Sequence, residues 1–183
     1  MGQRNQYVAF LRGMNLGKRR LSMDRLRAIV EQLGYQQVET YIASGNVIFR
    51  AGTTAETKLA TCISAHLEST LGYPVDTFVR AAADVRSIAE QAVFAQQDEP
   101  DWNVHVSFFA KKLPPAMARQ LEAIGTDEDA FRVIGRELYW LRKGRMSDSQ
   151  VWDLPETRKI KLPTHTMRNR NTVLKLVSKF LAS

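Results

Sequence analysis

The stretch that decides the fold is VETYIASGNVIFR, residues 38–50. Both of its ends are rich in β-branched and aromatic residues, and Ser44-Gly45 between them is typical of a tight turn. The pattern therefore predicts two strands joined by that turn. Helices are predicted on both sides of the hairpin, over residues 22–33 and 54–71, because apolar residues recur there at helical spacing and each run ends before a glycine.

Two more strands, over residues 6–11 and 75–80, complete the first half of the chain and make its order βαββαβ, the plait of ferredoxin-like domains. The same order recurs after a linking helix. We therefore predict an α+β fold of two ferredoxin-like βαββαβ halves with a C-terminal helix. The predicted division is residues 1–82 for the first half, 83–100 for the linking helix and 101–183 for the second half with the C-terminal helix.

In both halves, a basic residue is predicted at the end of equivalent strands. Aligning the two patterns places Arg12 with Lys111 and Arg80 with Arg168. Ligands often bind where neighbouring strands of a sheet end, so we expect these cations to belong to a binding site.

The chain has a formal net charge of +7, and its basic excess lies at the two ends. Residues 1–50 hold eight basic and three acidic side chains, and residues 151–183 hold seven and two. A positive surface formed by these ends would suit phosphate, carboxylate or nucleic acid, although the charge could also serve only solubility.

Cysteine and histidine usage limits the chemistry. The single cysteine, Cys62, cannot form an internal disulfide, which favours a reducing cytoplasm. Cys62 and His66 are predicted on the apolar side of the second helix, in buried structural roles, and no set of metal ligands is visible. Asp127-Glu128-Asp129 lacks the pattern of a calcium loop and is interpreted as a solvated loop. No apolar run is long enough to cross a bilayer, so no membrane association is expected.

Three blocks of sequence together resemble the domain of unknown function 1697 family. They are YVAFLRGMNLG at residues 7–17, TYIASGNVIF at residues 40–49 and TMRNRNTVLKL at residues 166–176. The resemblance implies a duplicated ferredoxin-like fold, and it implies no particular activity because the family has none assigned.

The resemblance also points to particular residues of these blocks. They are Arg12, Gly13, Asn15 and Gly17 in the first, Ser44, Gly45 and Asn46 in the second, and Arg168, Asn169 and Asn171 in the third. The chain departs from the family pattern at Lys18, where glycine is usual, and at Arg170, where tryptophan is usual. It also departs at residues 147–150, where a basic Ser-Lys-Leu stretch is usual.

The residues of these blocks have the chemistry of an anion site. Arg168 can direct two hydrogen bonds to a phosphate or carboxylate, and Asn169 or Asn171 can cap the last helix, whose free N–H groups favour negative charge. The alternative is that Asn169 only caps the helix, that Arg168 pairs with an acidic neighbour and that Ser44-Gly45-Asn46 only forms the hairpin. We predict a site for a small anionic ligand, formed by Arg12, Asn15, Ser44, Asn46, Arg168, Asn169 and Asn171.

Other functions stay open. Nucleic-acid binding would use the basic surface, but the paired stacking aromatics of RNA-recognition domains are missing. A protein-interaction module would use Trp140 or Trp152 as exposed anchors. Whether the protein is an enzyme is left undecided, because only Ser44 or His165 could act as nucleophile or acid/base and neither has a visible partner. No cofactor is expected, since the glycines of residues 13–17 match no nucleotide motif, and the oligomeric state is left open.

Overall fold

The computed structural model describes residues 4–14, 20–43, 45–52 and 54–181. The chain forms two compact units. Unit 1 comprises Met1–Ile88 and Leu176–Ser183, and unit 2 comprises Ala89–Lys175.

Unit 1 contains a four-stranded antiparallel sheet in the order β2-β3-β1-β4. Two helices connect its strands in the βαββαβ order, and a third helix follows the last strand. The elements are β1 (Arg4–Leu11), α1 (Met23–Glu31), β2 (Gln36–Tyr41), β3 (Asn46–Gly52), α2 (Glu56–Leu71), β4 (Thr77–Ala81) and α3 (Ala82–Glu90).

Local chemistry sets the limits of these helices. The Ser22 hydroxyl accepts a hydrogen bond from the Arg25 backbone N–H at 3.2 Å, so Ser22 caps α1 as predicted. Gly72, with a φ of 78°, ends α2 in the left-handed conformation. The apolar faces of α1 and α2 bury Leu26, Ile63 and their neighbours against one face of the sheet.

Unit 2 repeats this topology with a sheet in the order β6-β7-β5-β8, again antiparallel. Its elements are β5 (Trp102–Phe109), α4 (Pro115–Ala123), β6 (Asp129–Ile134), β7 (Glu137–Lys143), α5 (Pro155–Arg158), β8 (His165–Asn169) and α6 (Arg170–Leu176). A π-helical turn over Val177–Leu181, which belongs to unit 1, follows α6. The predicted α+β class, with two ferredoxin-like halves, is confirmed.

The crossover between β7 and β8 differs most from its counterpart in unit 1. Instead of one long helix, it holds 3₁₀ turns at Met146–Asp148 and Val151–Asp153 before the single helical turn of α5. The linking helix α3 is also shorter than the predicted segment of residues 83–100. In the segment that follows α3, the Gln97 side chain accepts hydrogen bonds from the N–H groups of Val93 and Phe94, and these bonds stabilise a turn.

The strand register shows which residues of the two sheets are equivalent. Arg80 pairs with Val8 and Arg168 pairs with Val106, so the predicted correspondence of the two arginines is confirmed. The other correspondence is wrong by one residue. Leu11 and Phe109 close the equivalent strands β1 and β5, which aligns Arg12 with Ala110 rather than with Lys111.

Candidate functional site

Two of the residues predicted for the anion site lie at one end of the two inner strands of the unit 1 sheet. Asn46 begins β3 opposite Phe10, and Arg12 directly follows β1. The Asn46 side chain is fully buried, and its Nδ2 donates to the Tyr41 carbonyl oxygen at 2.8 Å, across the hairpin. Arg12 is half exposed, with its Nη1 3.5 Å from Oδ2 of Asp76. Arg12 therefore has a solvent-accessible positive charge at this end of the strands.

Two further predicted residues, Asn15 and Ser44, lie outside the residues that the structure describes.

The three predicted residues of the tail lie together in unit 2. Arg168 is 6% exposed, and its Nη1 donates at 2.8 Å both to Thr166 Oγ1 and to the Met167 carbonyl oxygen. Burial lowers the Arg168 pKa to about 10. The Asn169 Oδ1 accepts from the Asn171 backbone N–H at 2.8 Å, so Asn169 caps α6. The Arg168 guanidinium and the Asn169 side-chain oxygen therefore already have hydrogen-bond partners inside unit 2.

The predicted burial of Cys62 and His66 is wrong. Cys62 is an exposed free cysteine, and His66 is half-buried with its Nε2 3.1 Å from Oε1 of Gln32. The buried face of α2 is the narrow stripe of Leu59, Ile63 and Leu67, which excludes both residues.

Asp129 is not part of a solvated loop, in contrast to the prediction. It begins β6 and is 3% exposed. Its Oδ1 accepts from Trp140 Nε1 and Ser149 Oγ, at 2.8 and 2.9 Å, and its Oδ2 accepts from Arg142 Nη1 and Thr126 Oγ1, both at 3.1 Å. Trp140 is therefore a buried structural residue, which contradicts its proposed role as an exposed anchor. Trp152 packs against it edge to face, with ring centroids 5.6 Å apart.

The two histidines of unit 2 have no catalytic partner among the described residues. His105 is buried, its pKa is lowered by that burial, and its ring lies 5.3 Å from that of Trp140. His165 Nδ1 lies 2.9 Å from the Pro163 carbonyl oxygen.

One feature that the sequence did not reveal is a cavity of about 640 Å³ in unit 1. The end of β3, the start of β1, the first turns of α2 and the turn between α1 and β2 surround it. The residues that line it are Arg4, Leu33, Gly34, Tyr35, Ala51, Gly52, Thr54, Lys58, Leu59 and Cys62. Arg4, the first residue of β1, pairs with Gly52, the last residue of β3. The start of β1 and the end of β3 therefore lie side by side at the cavity.

The polar side chains that line this cavity lack partners within the described parts of the chain. Arg4 and Lys58 are exposed, and neither side chain makes an ion pair or hydrogen bond there. The hydroxyls of Tyr35 and Thr54 are likewise without a hydrogen-bond partner in those ranges. None of the described residues that line the cavity is acidic. The cavity therefore carries two uncompensated positive charges.

Aromatic packing supports one wall of the cavity. The rings of Tyr35 and Phe49 stack with centroids 4.7 Å apart, and Phe49 stacks on Tyr7 at 5.8 Å. Tyr7 and Phe49 are buried, whereas Tyr35 is half-buried and borders the cavity. Burial raises the pKa of the Tyr35 hydroxyl, with a smaller contribution from Cys62, so this hydroxyl is a hydrogen-bond donor at neutral pH.

A smaller cavity of about 310 Å³ lies in unit 2, between the segment after α3 and strand β6. Asp127 and Arg132 both line it. Because it contains side chains of both signs, it has no clear preference for an anion or a cation.

Comparison with known proteins supports the family predicted from the sequence blocks. The model of the protein family of unknown function DUF1697 matches residues 4–139. The chain belongs to this family. The third sequence block, residues 166–176, lies outside the matched region.

One solved structure has the same fold across nearly the whole chain. The conserved bacterial protein SP0830 from Streptococcus pneumoniae is 19% identical, with a TM-score of 0.76 over 98% of this chain and 100% of that one. At this identity the similarity establishes the fold alone. No curated protein sequence matches this DUF1697 member.

Two other functional features are absent from the residues that the structure describes. No helix in those ranges is long and apolar enough to span a membrane. No group of three or more His, Cys, Asp or Glu side chains there is placed to hold a metal ion.

Proposed function

We propose that this DUF1697 protein binds a small molecule carrying a phosphate or carboxylate group, and that the unit 1 cavity is the binding site. The observation that carries the proposal is the pair of cations, Arg4 and Lys58, that border the cavity without a partner in the described part of the chain. Two other surface cations of unit 1, Arg12 and Arg27, have carboxylates within 3.5 Å.

The concave setting strengthens the effect of these charges. A cleft lined by one sign of charge concentrates counter-ions more than a flat surface with the same charges.

The residues predicted at the strand ends are a second proposed location for such a ligand. Arg12 has the accessible charge for this role, but the amide groups of Asn46 and Asn169 already serve the hairpin and the helix cap. Arg168 is buried with two internal acceptors. For this reason we favour the cavity.

Nucleic-acid binding is the alternative function, and the net charge of +7 favours it. The aromatic residues on β1 and β3 argue against recognition in the manner of an RNA-recognition domain. Tyr7, Phe10 and Phe49 are all buried, whereas such domains stack bases on exposed rings of these strands.

We also propose that the protein works in a reducing compartment such as the cytoplasm. The support is Cys62, a free thiol on the protein surface, which an oxidising environment would leave open to intermolecular disulfides.

A thermal-shift screen of phosphorylated and carboxylated metabolites, followed by calorimetry of the best ligand at fixed ionic strength, tests the proposed function. Each charge-assisted contact is worth on the order of 1.5–3 kcal/mol, so Lys58→Gln should weaken binding by about ten- to a hundredfold. Lys112→Gln is the matched control, because Lys112 is an exposed lysine of unit 2 and the charge change is identical.

Equal losses in the Lys58 and Lys112 variants would show that only the overall charge matters, which would refute a specific site. Arg12→Gln distinguishes the two proposed locations. A loss with Arg12→Gln and none with Lys58→Gln would move the site to the strand ends.

A further inference from the structure

We infer that the unit 1 cavity binds an aryl phosphate, that is, a flat aromatic ring that carries a phosphate group. This inference rests on the proposed function, because it specifies the ligand of the same site. Four properties of the cavity support it: its size, its charge, its hydrogen-bond donors and its apolar wall.

The size of the cavity requires more than a bare anion. A volume of about 640 Å³ lies within the range of roughly 300–1,000 Å³ that is typical of small-molecule sites. Inorganic phosphate would leave most of that space to water. The anionic group must therefore be attached to a larger body that fills the remaining space.

The charge of the cavity matches a phosphate monoester better than a carboxylate. Arg4 and Lys58 supply two positive charges, and no acidic side chain lines the cavity among the described residues. A phosphate monoester carries about −1.5 to −2 at neutral pH, whereas a carboxylate carries a single negative charge.

The uncharged polar side chains of the cavity also favour a phosphate. Tyr35 and Thr54 both line the cavity, and their hydroxyls can donate hydrogen bonds. Together with the guanidinium and ammonium groups, these hydroxyls provide donors for all three terminal oxygens of a phosphate.

The aromatic part of the ligand follows from the apolar part of the lining. Leu33, Ala51 and Leu59 supply this part, and Tyr35 adds an aromatic ring. The Tyr35 ring stacks on Phe49, and Tyr35 also lines the cavity. Aromatic rings pair favourably with a neighbouring ring in offset-stacked or edge-to-face geometry. A ligand ring would extend the column formed by Tyr7, Phe49 and Tyr35.

The protein contains its own reporter for this site. Cys62 is the only cysteine of the chain, it is exposed, and it lines the cavity. The rate at which a neutral reagent such as iodoacetamide alkylates the full-length protein therefore measures how much of the cavity is open. Each ligand is compared with buffer alone for the same variant, so that changes in intrinsic thiol reactivity cancel.

The experiment compares four probes at equal ionic strength: phenyl phosphate, cyclohexyl phosphate, inorganic phosphate and benzoate. We expect phenyl phosphate to slow alkylation of Cys62 at the lowest concentration. An aromatic pair should give it an advantage of roughly two- to tenfold over cyclohexyl phosphate. Tyr35→Leu should remove that advantage, whereas Tyr41→Leu, a half-buried tyrosine outside the cavity, should retain it.

The possible failures are distinguishable. If inorganic phosphate protects Cys62 as well as phenyl phosphate does, the proposed anion binding stands and the aryl inference is wrong. The inference is also wrong if Tyr35→Leu keeps the advantage of the aromatic ring, or if benzoate protects as well as phenyl phosphate. If no probe protects Cys62 and none raises the melting temperature, both the inference and the proposed function fail.

Discussion

Arg142 Nη1 lies 3.1 Å from Asp129 Oδ2, directly across β6 and β7, and their side chains are only 6% and 3% exposed. Asp129 also accepts hydrogen bonds from three other side chains, so both of its carboxylate oxygens have partners inside unit 2. This pair, rather than a ligand, accounts for the acidic residue at the start of β6.

Removal of one member of this pair should destabilise the protein severely. Arg142→Leu leaves the Asp129 carboxylate buried without its cation, at a cost of about 3–5 kcal/mol. Urea denaturation of the variant measures the loss. The exposed pair of Arg158 and Asp153 provides the control, since Arg158→Leu should change the unfolding free energy by less than about 1 kcal/mol. Similar losses in both variants would contradict the assigned role of the buried pair.

Arg168 should also behave as a structural residue. Arg168→Ala removes a buried side chain and two hydrogen bonds, so the unfolding free energy should fall by about 2–4 kcal/mol. Arg12→Ala, at a half-exposed position, should cost less than about 1 kcal/mol. Chemical denaturation of the two variants decides the matter. An Arg168→Ala protein as stable as the wild type would return Arg168 to the list of ligand-binding candidates.

The architecture was predictable because its signals are local. The hairpin at residues 40–49 and the capped helix α1 each depend on residues close in sequence, and the repetition of one pattern indicated the duplication. The crossover from β7 to β8 was not predictable in detail, because residues 146–158 show neither a helical nor a strand period.

The cavity could not be predicted, because its residues come together only through register and packing. Arg4 and Lys58 are 54 positions apart in the sequence. The pairing of Arg4 with Gly52 and the position of α2 over the sheet bring them to one place. In contrast, Asn46 and Asn169 stood out in the sequence because turns and caps favour asparagine, and the structure uses both for those local purposes.

Gly45 has a steric reason to be glycine in the hairpin block. Its φ is 80°, and a Cβ atom there would lie 2.8 Å from Met14 Cγ and 3.0 Å from Leu11 Cβ. Gly45→Ala should therefore cost more than the roughly 1–2 kcal/mol of a left-handed alanine alone. Gly72→Ala isolates that backbone cost, because its φ is 78° and no atom lies within 4 Å of the added carbon. Equal melting temperatures for the two variants would exclude the proposed clash.

Acid should destabilise the protein partly through His105. Burial lowers the pKa of this imidazole in the folded state below its ordinary value of 6.5, so the unfolded chain binds a proton more readily than the folded protein does. The contribution of neutral His105 to stability is therefore complete above pH 6.5 and is lost as the pH falls below that value. His105→Gln should reduce the difference in unfolding free energy between pH 7.5 and pH 5.5, measured by urea denaturation at both values. His66→Gln, at a half-buried position whose ring reaches Gln32, is the matched control for the loss of an imidazole. If both variants keep the full acid sensitivity of the wild type, the carboxylates rather than His105 set the response to acid.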